Sequence, residues 1–309
     1  MIFHHFYYDD KVIQNDSVYS FLQAYSMHAK ACVAIFAFIT GYGYYAVSKK
    51  DYGNCFLSGI KRISRFYPFF LFMCTLHIVL GYFFPYGNVL QPDNWKAILL
   101  NMVGLKGSIP DYWYIRVVLL AALVYYPILL YVNRKQERTH LLTLFILLVA
   151  TVSFHYLYEI ASCCMPQELL STQWMDILLK STHCAMYLLF FIAGWATNYS
   201  TVCRNKYKFI VPAIGWSICL IISASTTITV AVCILLAVAL PQLSNRGAHI
   251  LALLGACSMS MWLNHRLIYG YWFSSWFFSI PSPLNYALLV ILSYATALLT
   301  MKVWDKITR

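Results

Sequence analysis

Residues 36–70 read FAFITGYGYYAVSKKDYGNCFLSGIKRISRFYPFF, and the reading of this stretch decides the fold. Its first part is an apolar helix in which Thr40, Gly41 and Gly43 cluster, small residues that let a neighbouring backbone come close. A short loop then leads to Lys61, Arg62 and Arg65, directly before an aromatic-rich apolar run that starts at Phe66. Cations this dense at a membrane boundary need water, lipid headgroups or an anionic ligand around them. The stretch therefore reads as two membrane spans joined on a basic side.

Composition agrees with that reading. Of 309 residues, 61% are hydrophobic and 11% charged, whereas soluble domains are about half apolar and about a quarter charged. The net charge of +11 would suggest nucleic acid in a soluble chain. Here the excess Lys and Arg fall in short loops between apolar runs, which is a topology signal and excludes a nucleic-acid partner. The ten cysteines show no CxxC or CxxH spacing, so no metal site is expected. Cys163 and Cys164 lie in an expected aqueous loop, where a bridge to another cysteine is an alternative to two free thiols.

A helix crossing about 30 Å of hydrocarbon needs about 20 apolar residues. Met1–Tyr8 (MIFHHFYY) is too short, has no basic leader, and is followed at once by the polar DDKVIQND. It reads as the outer end of a first span that starts upstream, with a short interfacial segment as the alternative. Further spans are expected over 24–47, 66–84, 112–132, 141–158, 177–198, 209–224, 226–240, 248–270 and 284–304. The apolar piece 95–105 sits among Pro85, Gly87, Pro92, Gly104, Gly107 and Pro110 and is too short to cross, so it reads as re-entrant or interfacial. Alternation then puts RKQER, CRNKYK, SNRGAH and the terminal KVWDKITR on the side of the loop 48–65, the cytoplasmic side by the positive-inside rule. The opposite loop 159–176 has three acidic residues and no Lys or Arg. The expected fold class is an all-α polytopic membrane protein, about ten transmembrane helices in one bundle with the first helix truncated, residues 1–309 forming a single domain.

Several pieces carry a family resemblance in order and spacing: a His near the outer part of the first span, FxxITGY at Phe36–Tyr42, KRxxRFYP at Lys61–Pro68, WYI at Trp113–Ile115, and SMSMWLNH at Ser258–His265. Together they resemble the acyltransferase-3 family of integral-membrane O-acyltransferases, and the resemblance runs through nearly the whole chain. It implies an O-acyltransferase that modifies extracytoplasmic glycans, with a multi-pass location in a bacterial inner (plasma) membrane. It also implies a functional His on the first span, about three helical turns after a basic residue. His5 or His4 takes that place, and the basic residue would lie before Met1.

The chemistry suits these groups. A sugar hydroxyl attacking an acyl thioester needs a base near operating pH, which points to His5 or His4. The donor implied is acyl-CoA, most simply acetyl-CoA, a substrate and not a bound cofactor. Lys61, Arg62 and Arg65 are the candidate clamp for its phosphates. Arg62 and Arg65 are three apart and share a helix face, and Arg grips phosphate with a forked contact. Lipid headgroups would satisfy the same cations. Trp113, Arg116 and His265 are candidates for binding a glycan or glycolipid acceptor. Against these roles stand an aromatic belt for Trp113, a headgroup contact for Arg116, and a packed core position for His265. His28 and Lys30 begin the second span near the expected level of His5 and are weaker candidates for orienting it. No GxSxG elbow argues for a covalent route, so direct transfer and an acyl-enzyme relay both stay open. A glycan transporter, flippase or polymerase, or an inactive scaffold relative, is the competing class. Homo-oligomers are compatible with all of these.

Overall fold

A computed structural model describes residues 2, 6–7, 22–23, 26, 32–83, 95–105, 114–135, 137–166, 173–202, 235, 244–281 and 284–308. Among them there is no strand, and nine helices follow one another. These are α1 (Cys32–Ser48), α2 (Cys55–Phe83), α3 (Trp95–Met102), α4 (Tyr114–Asn133) and α5 (Glu137–Cys164). After them come α6 (Gln173–Val202), α7 (Asn245–Leu267, prolonged by a wider turn Ile268–Trp272), α8 (Ser274–Ser279) and α9 (Leu284–Thr308). Among the described residues four segments are long and apolar enough to cross a membrane: α2, α4, Arg138–Leu157 of α5, and α9. α1 and Cys184–Tyr199 of α6 are shorter apolar helices. The all-helical membrane architecture holds; the ten-span count goes beyond it, and the spans expected at 209–224 and, apart from Leu235, at 226–240 lie outside the described residues.

The basic stretch is helical where a loop was expected. α2 begins at Cys55, because the Asn54 side-chain oxygen accepts the backbone N–H groups of Phe56 and Leu57 at 2.9 and 3.2 Å and caps the first turn. Lys61, Arg62 and Arg65 thus sit on a continuous helix that runs through Pro68 into the bilayer segment. A second departure from regular helix lies in α4, where Ala121–Tyr125 widens to π geometry just before Pro127. Proline lacks an N–H and its ring presses on the carbonyl four residues back; a wider turn relieves that pressure.

Packing rests on backbone contact at glycine. A Cβ on Gly41 of α1 would overlap the Phe191 carbonyl oxygen of α6, and one on Gly194 of α6 would overlap the Phe38 carbonyl oxygen of α1. The close approach expected from the Thr40–Gly43 cluster is therefore made at Gly41; a Cβ on Gly43 would meet nothing within 4 Å among the described residues. Around this crossing Trp195 is fully buried, with ring contacts to Tyr45 at 5.3 Å and Tyr126 at 6.0 Å. In the same way Gly59 of α2 lies against the Ala122 carbonyl in the π turn of α4. A second core joins Phe70 and Met73 of α2 to Ile115 of α4 and Leu263 of α7. The outer faces stay apolar, with Phe145, Ile146 and Leu157 on α5 and Ile291 and Leu299 on α9 exposed, as a lipid-solvated surface requires. Cys163 and Cys164 are exposed free thiols, so neither is bridged.

Gly41→Ala is expected to lower the thermal unfolding midpoint in detergent, at a cost of about 1–3 kcal/mol for the overpacked crossing. Gly43→Ala, with no neighbour among the described residues and a better helix former in place, should be neutral or gain up to about 1 kcal/mol. Equal effects at the two positions would refute the backbone-contact account.

Candidate functional site

The loop between α1 and α2 returns Asp51 onto the ends of three helices. Asp51 Oδ1 accepts the Ser58 hydroxyl at 2.7 Å, and Oδ2 accepts the Tyr126 hydroxyl at 2.9 Å. Arg62 pairs with Oδ2 at 3.7 Å and donates to the Tyr126 hydroxyl at 3.3 Å. Its guanidinium also lies over the rings of Tyr44 and Tyr126, at 5.8 and 5.3 Å. Arg134, just past α4, donates to the Asp51 carbonyl at 2.6 Å. Burial pushes the Asp51 pKa up, but the hydrogen bonds from Ser58, Tyr126 and the Gly53 backbone, with the Arg62 charge, outweigh it. The carboxyl is thereby held below its ordinary value. The result is a basic bundle end built around one carboxylate.

The three cations read as one clamp do different things. Arg62 is 13% exposed at its side chain and committed to Asp51 and Tyr126. Lys61 and Arg65, four apart on the same helix, are exposed and form no ion pair among the described residues. Phe66, directly after Arg65, lines an open-sided cavity of about 280 Å³ to which α1, α2, α4 and α7 contribute. Tyr44, against which Arg62 rests, lines it too, as do Tyr114 and Trp262, whose rings meet edge-to-face at 5.8 Å. Exposed positive charge at Lys61 and Arg65 thus precedes an apolar cavity along the same helix. An amphiphilic anion is the chemistry such an arrangement accepts.

Beyond the cavity the remaining candidates separate. His265 is fully buried with Nδ1 at 2.6 Å from the Trp262 carbonyl oxygen, so it is a packed histidine joined to the cavity wall through Trp262. Its ring lies 6.2 Å from that of Tyr269, on which Phe6, the residue after His5, packs at 5.3 Å. Arg116 is buried, and it donates through Nε to the Gly104 carbonyl and through NH2 to that of Leu105 at 3.3 Å. The headgroup contact expected for it is not what the structure shows; Arg116 secures the turn after α3, where Gly104 takes a positive φ of 72°. His4, His5, Trp113, His28 and Lys30 lie outside the described residues.

One polar line was not anticipated. His77 of α2 is fully buried with Nε2 at 2.9 Å from Asn264 Oδ1 of α7. Asn264 donates to Ser260 at 3.3 Å, and Ser260 meets Thr300 of α9 at 2.7 Å. An ionisable side chain inside a span is itself a signal, and by that rule His77 was visible in the sequence.

The model of a family described as an acyltransferase domain matches residues 1–163 of the chain. No curated protein and no solved structure matches it.

Asp51→Ala should lower unfolding stability by about 1–3 kcal/mol, because Arg62, Tyr126 and Ser58 lose a shared acceptor. A carboxyl whose pKa falls on folding stabilises above its unfolded value, and that contribution disappears as pH drops through the folded one. The gap between wild type and Asp51→Asn is therefore expected at pH 6 and should close below about pH 4. A gap of constant size in thermal unfolding from pH 6 to pH 3 would refute the carboxylate-centred network.

Proposed function

The chain belongs to the acyltransferase-3 family, and from that premise we propose that it transfers an acyl group from acyl-CoA to a hydroxyl of a cell-surface polysaccharide or glycolipid. One observation carries the reading: exposed Arg65 directly precedes Phe66 on α2, with exposed Lys61 four residues before Arg65, and Phe66 lines the cavity between α1, α2, α4 and α7. A phosphate-bearing thioester has both halves that such a site accepts. Its anionic part meets the two cations, and its acyl arm enters the cavity. Arg62, tied to Asp51, holds α2 against α4 and walls the site through Tyr44.

In the proposed reaction, His5 or His4 takes the proton of the acceptor hydroxyl as its oxygen attacks the thioester carbonyl. The carbon–sulfur bond breaks, and the proton passes to the departing CoA thiolate. Support for this placement is the run of contacts from the cavity through Trp262, His265 and Tyr269 to Phe6, next to His5 in sequence. The acceptor is proposed to approach from the end opposite the basic one, and Trp113 is proposed to stack on its sugar. The whole chain is read as one domain of ten spans in a bacterial inner membrane, its basic end cytoplasmic. Acetyl is the simplest donor group in this scheme.

The test is incorporation of radiolabel from acyl-CoA into membrane glycans at matched protein levels. Losing the base should cost about 10²–10⁴-fold in rate, so His5→Ala or His4→Ala should fall by that factor with thermal stability unchanged. Lys61→Ala/Arg65→Ala should weaken acyl-CoA binding by at least about tenfold with little loss of stability, whereas Arg62→Ala should lose both. If no acyl-CoA is bound and no glycan is labelled, the acyltransferase reading fails and transport becomes the activity to assay.

A further inference from the structure

A second group of cations gathers where α1 and α4 end and α5 begins. Lys49 and Lys50 follow α1, Arg134 and Lys135 follow α4, and Arg138 stands in the first turn of α5; all are exposed. Hydrogen bonds fix the two turns side by side: Asn133 donates to the Ser48 hydroxyl at 3.2 Å, and Arg134 donates to the Asp51 carbonyl at 2.6 Å. Arg134 is therefore a brace between them. Lys49, Lys50, Lys135 and Arg138 form no ion pair among the described residues. The nearby Asp51 carboxylate cannot serve them, because Ser58 occupies its Oδ1 and Tyr126 and Arg62 its Oδ2.

Two of these cations end stripes of exposed apolar side chains. On α4, exposed Val124, Ile128 and Tyr131 follow one helix face down to Lys135, just past the helix end. On α5, Arg138 is followed along one face by exposed Leu142, Phe145 and Val149. The Lys135 ammonium lies over the exposed Tyr131 ring at 5.1 Å, and that of Lys49 over the Tyr45 ring at 5.2 Å. Stems laid along aromatic rings keep these charges at the border of the apolar surface. A topology signal needs only positive charge on one side of the membrane. It does not need cations on two turns held together by hydrogen bonds, each pair without a counter-charge. Such a surface complements an amphiphile that has separate anionic groups at one end and hydrocarbon chains at the other.

We propose that these linked turns form a binding site for an anionic phospholipid with two phosphates, of the diphosphatidylglycerol class. Lys135 and Arg138 take one phosphate and Lys49 and Lys50 the other, while acyl chains lie along the stripes of α4 and α5. Basic pockets at the ends of membrane helices accept headgroups of this kind. A lipid held by both pairs ties α1 to the α4–α5 hairpin and so stabilises the bundle, since it binds the folded form alone. The site uses neither Lys61 nor Arg65 and does not rest on the acyl-CoA reading.

The experiment titrates the purified full chain in detergent with diphosphatidylglycerol, phosphatidylglycerol and phosphatidylcholine, reading the thermal unfolding midpoint and the lipid retained in native mass spectra. Diphosphatidylglycerol should raise the midpoint and bind at least about tenfold more tightly than phosphatidylcholine, with phosphatidylglycerol between them. Lys135→Gln/Arg138→Gln and Lys49→Gln/Lys50→Gln should each weaken its binding by at least about tenfold. Lys302→Gln/Lys306→Gln removes two exposed cations near the end of α9 and should leave that affinity unchanged. The deacylated headgroup, which keeps both phosphates, should bind at least about tenfold more weakly than the intact lipid. Phosphatidylglycerol or phosphatidylcholine bound as tightly as diphosphatidylglycerol would overturn the proposal. So would equal effects of the α9 pair and the two proposed pairs, or a deacylated headgroup bound as tightly as the lipid.

Discussion

The crossing of α1 and α6 is the contact on which the rest of the described bundle depends. In lipid there is no hydrophobic force between helices, so association relies on close packing and on small residues that admit it. Gly41 and Gly194 supply this reciprocally, each accepting the other helix's backbone carbonyl where a Cβ would stand. The register it sets is specific: Tyr44, three residues along, meets Phe191 at 5.5 Å and Tyr126 at 5.0 Å. Tyr44 is also the wall against which Arg62 rests and a lining residue of the cavity. Through that one ring the backbone contact fixes the position of both the ion pair and the cavity.

Polar groups inside the bundle obey a second constraint, that nothing in hydrocarbon will satisfy them except protein. Arg116 meets it by donating to the carbonyls left open by the turn after α3. His77, Asn264, Ser260 and Thr300 meet it by bonding in sequence across α2, α7 and α9. His140 of α5 stacks on Tyr199 at 4.1 Å and receives the Trp195 indole N–H at 3.4 Å. Each of these pins two or more helices together. Trp262 and Trp272 each keep a buried indole N–H with no acceptor among the described residues.

What the sequence made legible follows from what is local. Hydropathy located the helix cores well: 284–304 was expected and Leu284–Thr308 is helical, and 112–132 was expected and Tyr114–Asn133 is helical. Small residues flagged the crossing helix, but not which glycine makes the contact, since that depends on how α1 rotates against α6. The start of α2 was misplaced because the expectation followed apolar content, whereas a helix can begin in water once Asn54 caps it. Arg116 was read as a contact for an acceptor or a headgroup because its partners, Gly104 and Leu105, belong to a turn after a separate helix. Pairings between distant segments leave no trace in a single sequence.

The same reasoning explains why a motif of three cations divides its labour. Lys61, Arg62 and Arg65 are indistinguishable by hydropathy and all lie at one helix end, so local pattern assigns them one role. The distinction comes from Asp51, ten residues before Lys61, which reaches only the helix face that Arg62 shares with Ser58 and that Tyr126 approaches from α4. An arginine neutralised by a carboxylate and covered by two rings is a poor anchor for a phosphate, because binding would first have to break that pair. Lys61 and Arg65 are exposed and form no such pair among the described residues, and they precede Phe66, which lines the cavity, on the same helix. One arginine therefore ties the helix end to the loop before it, and the two cations beside it on α2 stay exposed with no ion pair among the described residues.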